Sequence, residues 1–105
     1  MASGKLGAAD LAAATATLLY TVPASTVTTA NVRFANRNSV PTEIRLAIGT
    51  GGSPAATDYV TYGQTLPQNG IIEDMGLVLS AGEKVWAYAT IAGVSVRVHG
   101  HEEVA

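Results

Sequence analysis

The sequence predicts an all-β fold, an antiparallel β-sandwich of seven or eight short strands, and three features carry that prediction. Several runs alternate apolar and polar residues with period two, the spacing of a half-buried strand. Thr, Val and Ile, which suit a pleated sheet, are abundant. Clusters of Gly, Pro, Asn and Ser separate the runs at short intervals. Strand order stays open on these grounds, with a jelly-roll connection and a small closed barrel both in play.

Residues 1–16 fall outside the pattern. The alanines of Ala8 to Ala16 favour a short helix, but Thr15 and the flanking glycines weaken it. The segment is expected to be a flexible or extended N-terminal arm that orders against a partner, with the sandwich domain spanning 17–105. The first strand has Leu18, Tyr20 and Val22 opposing Leu19, and it stops at Pro23-Ala24-Ser25. The second contains the alternation Val32-Arg33-Phe34 and ends at Asn36-Arg37-Asn38-Ser39. After Pro41, Ile44, Leu46 and Ile48 share one face while Glu43 and Arg45 take the other. Gly49-Thr50-Gly51-Gly52-Ser53-Pro54 reads as a loop. Pro67-Gln68-Asn69-Gly70 carries Asn-Gly, a tight-turn signal, and Ser80-Ala81-Gly82-Glu83 and Ala92-Gly93 mark two more turns. In the last strand Val94, Val96 and Val98 face away from Ser95, Arg97 and His99.

One strand is apolar on both sides. In Val85 to Ile91, Val85, Ala87, Ala89 and Ile91 share a face, while Trp86 and Tyr88 occupy the other. A sandwich strand ordinarily shows water one polar side. Cover by the chain's own loops or arm is one explanation, and burial against another subunit is the favoured one. Trp86 and Tyr88 are therefore expected contact residues, together with Lys5, Leu6 and Leu11 of the arm.

Composition mostly subtracts possibilities. The chain has 105 residues, one domain's worth, and would hide roughly 65% of its extended-chain surface on folding, so a partner subunit would help its core. A net charge of −2 argues against nucleic-acid binding, which needs a basic face. No stretch is apolar enough to span a bilayer as a helix, and Asp10 interrupts any signal-peptide core. With no cysteine there is no disulfide, thiolate metal cage or catalytic thiol.

The catalytic inventory is thin, and no enzyme activity is expected. Glu73-Asp74 and Glu102-Glu103 are adjacent, so in a strand each pair points to opposite faces and forms no acid/base dyad. Gly49 to Ser53 lacks the Gly-Lys-Ser/Thr ending of a phosphate loop. No Ser sits in a Gly-x-Ser-x-Gly setting. His99 and His101, at i and i+2, can offer imidazoles to one metal, though a solvated polar face is the simpler reading and no cofactor is expected. This His-x-His is similar to the metal-holding motif at trimeric phage tail-spike tips. Tyr59 and Tyr62 are candidates for stacking on a sugar ring, with the Gly49 to Pro54 loop beside them. Arg33, Arg37, Arg45 and Arg97, interleaved with acids, suit ion pairs between subunits.

The order of the segments resembles a known class. Leu18-Leu19-Tyr20-Thr21-Val22-Pro23-Ala24 leads into Asn31-Val32-Arg33-Phe34-Ala35-Asn36-Arg37-Asn38, then Arg45-Leu46-Ala47-Ile48. Leu66-Pro67-Gln68-Asn69-Gly70, Gly76 to Glu83 and Val94-Ser95-Val96-Arg97-Val98 follow. Across residues 17–103 this resembles small β-sandwich virion proteins of tailed bacteriophages. The resemblance implies a capsid cement or decoration protein, made in the host cytoplasm and placed on the outer capsid surface. It implies a homo-oligomer, as a trimer, whose partner is the major capsid protein. The alternative it carries is a distal domain of a tail fibre or spike that recognises host glycan. It supplies no catalytic residues.

Overall fold

The computed structural model describes residues 3–105. Among the described residues eight strands form two four-stranded sheets: β1 (Ser3–Leu11), β2 (Thr17–Thr21), β3 (Thr26–Asn36), β4 (Thr42–Gly49), β5 (Tyr59–Leu66), β6 (Ile71–Leu79), β7 (Lys84–Ala89) and β8 (Val94–Val104). The first sheet runs β1-β8-β3-β6 and the second β2-β7-β4-β5. Every pairing between these strands is antiparallel. The pairs are nested: β1 with β8, β2 with β7, β3 with β6, β4 with β5. The long hairpin so formed is folded over, which brings β8 against β3 and β7 against β4. This wrapping is a jelly roll, and it excludes the closed barrel.

The core lies between the sheets. Strand β3 alternates strictly, with Ala30, Val32 and Phe34 inward, and β8 adds Val94, Val96 and Val98 beside it. Across the gap stand Ile44 and Leu46 of β4 and Val85, Ala87 and Ala89 of β7. Buried Asn36 ends β3, and its side-chain amide donates to the carbonyls of Val40 (2.9 Å), Leu66 (3.3 Å) and Pro67 (3.1 Å). One amide thereby ties two connections together at this end of the sandwich.

The expected free arm is corrected. The first two of its residues lie outside the described ones, and Ser3–Leu11 is the edge strand of the first sheet, paired with β8 from Ser3↔His101 to Leu11↔Val94. Gly7, Ala9 and Leu11 sit opposite the inward valines Val98, Val96 and Val94. Leu11 is 1% exposed, and Leu6 and Ala9 pack against the core. A Cβ on Gly7 would lie 2.3 Å from the Leu19 carbonyl oxygen, so glycine there allows β1 to close on β2. The chain then crosses to the second sheet at Ala13, bridged to Ala89.

A polar clasp joins the sheets near the other end. The Tyr20 hydroxyl of β2 donates to the Glu102 carboxylate of β8 and lies 2.9 Å from Thr28 Oγ1 of β3. Burial, reinforced by the Glu102 hydrogen bond, raises the Tyr20 pKa above its ordinary value of 10.0. As pH rises, the unfolded phenol ionises first, so this contribution to stability is complete below pH 10.0 and is lost as pH climbs to the folded value. Tyr20→Phe is expected to lower stability by about 1 kcal/mol at neutral pH and to flatten the decline above pH 10. Denaturant midpoints measured across that range check both; an unchanged midpoint and slope would show the clasp to be energetically idle.

Candidate functional site

The outward residues of the second sheet are mostly aromatic or apolar. Register places them side by side: Arg45 of β4 lies opposite Tyr88 of β7 on one flank and Tyr62 of β5 on the other. Ala47, one pleat along, lies between Trp86 and Tyr59. Leu18 of β2, exposed, stands opposite Trp86.

Arg45 is the centre of the patch. Its guanidinium carbon sits 4.3 Å from the Tyr62 ring centroid and 4.4 Å from that of Tyr88. Each stack contributes roughly 0.5–1 kcal/mol at a partly exposed site. Tyr59 meets Tyr62 edge to face, with centroids 4.9 Å apart and planes at 85°. Pro54 and Ala16 border a small depression over Ala47, Trp86 and Tyr88. The Trp86 indole nitrogen is buried and has no hydrogen-bond partner among the described residues. No hydrogen bond or ion pair engages the Arg45 guanidinium among those residues either. The patch therefore offers flat apolar surface and a guanidinium whose donors have no acceptor.

Trp86 and Tyr88, expected at a protein contact, and Tyr59 and Tyr62, expected at a sugar, thus share one face. Pro54 of the Gly49 to Pro54 loop borders this face; the carbonyls of Thr50 and Gly51 accept from Lys84 Nζ at 3.3 and 3.2 Å. The arm residues are elsewhere. Leu11 is a core residue and so no surface contact; half-buried Leu6 packs against the core, and both sit on a paired strand instead of a free arm. Lys5 is exposed on the first sheet, opposite His99. Arg45 is legible in the sequence as an outward residue suited to an ion pair between subunits; its stacking on Tyr62 and Tyr88 is not, because those partners come from two other strands.

The outer face of the first sheet is mixed: it carries Lys5, Arg33, Arg97, His99 and His101, and β6 adds the exposed Ile71, Met75 and Val78. His99 lines a cavity of about 150 Å³ with Asn31, Arg33 and Glu73. His101 Nε2 lies 2.9 Å from Glu103 Oε1. No group of three or more His, Cys, Asp or Glu is arranged to hold a metal among the described residues. Arg33 lies 3.8 Å from Glu73, and Arg37 pairs with Asp10, so these two arginines find partners within the chain. Such exposed pairs contribute about 0–1 kcal/mol. Asp74 accepts from Thr61 Oγ1 at 2.9 Å, and Glu102 is held in the Tyr20 clasp. No protein-family model matches the chain, and no curated protein or solved structure shows a significant match to it.

Proposed function

We propose that the chain is a structural protein of a bacteriophage virion, a cement or decoration protein that acts as a homo-oligomer on the outer capsid surface beside the major capsid protein. The observation that carries this reading is the cluster of aromatic rings on the outer face of the second sheet. Leu18, Tyr59, Tyr62, Trp86 and Tyr88 surround Arg45 there, with Glu43 and Lys84 on the same strands, whereas the large apolar residues exposed on the first sheet, Ile71, Met75 and Val78, carry no aromatic ring. Trp, Tyr and Arg are the residues enriched where protein contacts derive their energy. Covering such a face releases about 25 cal/mol per Å² of apolar area, set against the entropy of association. Repetition over a lattice multiplies weak contacts into durable attachment.

Quantitative mass spectrometry of purified particles tests the reading. A copy number that follows the shell lattice is expected, and a handful per particle would move the chain to the tail. Trp86→Ala, which leaves the core between the sheets intact, is expected to cut occupancy on particles by at least about tenfold. Full occupancy by that variant would remove the aromatic face from the mechanism.

A second reading is host-glycan recognition by a tail fibre or spike. The 63% exposure of Tyr62, on a rim with Arg45, favours it. Binding of the isolated protein to a glycan array, lost in Tyr62→Ala, is its test.

A further inference from the structure

The aromatic face carries two charged side chains of opposite sign on one strand. Glu43 and Arg45 both point outward from β4, an interior strand of the second sheet. They are two residues apart, roughly 7 Å along the strand. No ion pair joins them, and Glu43, exposed at the start of the strand, has no side-chain partner among the described residues. Arg45 is clamped flat between Tyr62 and Tyr88 with its N–H edges unengaged. The third long charged side chain of this region, Lys84, is already committed to the Thr50 and Gly51 carbonyls.

A face with one acid and one base two positions apart is complementary to itself. If two copies meet face to face about a two-fold axis passing near Ile44, with their β4 strands antiparallel, Arg45 of each copy comes opposite the acid of the other, and the exchange happens twice. Isologous contacts are built in this way, residue i meeting j and j meeting i. Sheets stack about 10 Å apart with strands nearly aligned, so the aromatic side chains of both copies would fill the gap.

From this charge reciprocity we infer that the second sheet's outer face pairs with the same face of a second copy of this chain, with Glu43 and Arg45 forming two symmetric ion pairs. The inference rests on the reading of this face as a protein contact, and it names the partner. The aromatic residues supply buried area, and the charge pair fixes orientation: a parallel or shifted arrangement would set arginine against arginine.

A charge swap tests it on the purified protein. Sedimentation across a wide concentration range should show a monomer–dimer equilibrium. Trp86 is the chain's single tryptophan, so its emission should shift on dilution as the face is uncovered. Glu43→Arg and Arg45→Glu are each expected to weaken the dimer by at least about tenfold, since each places like charges together. The double variant, with both charges exchanged, should recover most of the lost affinity. Glu43→Arg touches no core or stacked group, so it stays informative if Arg45→Glu misfolds; Arg45→Lys, with its charge kept, should still dimerise. A monomer at all concentrations, a trimer, a dimer indifferent to Glu43→Arg, or single-variant losses that the double variant fails to recover would each overturn the two-fold pair. None of those results would displace the chain from a capsid, which particle copy number decides separately.

Discussion

Phe34→Ala is expected to cost about 3–5 kcal/mol, a large part of the roughly 5–15 kcal/mol that holds a domain of this size together. Phe34 is the chain's one phenylalanine and is 0% exposed. It belongs to β3, which pairs with both β8 and β6, so the void would open in the interior of the first sheet. The buried cluster it belongs to is mostly valines and alanines, short side chains that reach poorly into a cavity. Urea denaturation of the variant, read against Met75→Ala as a surface control, is the measurement. Met75 is 69% exposed, and its truncation is expected to fall within about 0.5 kcal/mol. A Phe34 variant as stable as that control would mean the core is packed elsewhere.

Deleting residues 3–11 is expected to be at least as damaging, lowering stability by upwards of about 3 kcal/mol and in most conditions abolishing cooperative unfolding. Leu11 alone is a fully buried leucine, whose loss costs roughly 2–5 kcal/mol. The deletion also strips β8 of one partner strand and leaves a new edge with unpaired backbone groups. Circular dichroism melts of the shortened chain decide the matter. A sharp transition at the parent temperature would restore this segment to the status of a detachable arm.

That segment shows where reading by pattern stops. Its inward row is Gly7, Ala9 and Leu11, which has period two but too little hydrophobic contrast to stand out. The strand exists because β8 offers it a row of valines and because glycine lets it approach Leu19. Thr42 to Ile48 and Val94 to Val98, by contrast, carry branched aliphatics on one side and charge on the other, and both are strands with those faces. The double-sided apolar strand around Trp86 was visible for the same reason. In β5 the period breaks at Gly63, whose φ of +69° accompanies a shift of register against β4. Local pattern says nothing about which strands become neighbours. The Tyr62–Arg45–Tyr88 stack needs β5, β4 and β7 side by side, so two readings of the aromatics that looked separate along the chain fall on one surface.

The nested pairing also governs when this protein can acquire its shape. β8 lies between β1 and β3, so the first sheet has no centre until the last of the eight strands is present. β1 and β2, the earliest strands, must each wait, uncovered, for β8 and β7 to emerge from the ribosome. Folding is therefore expected to follow translation instead of accompanying it, and to be slow for a polypeptide this short. Nascent chains stalled before residue 94 should remain protease-sensitive along their whole length.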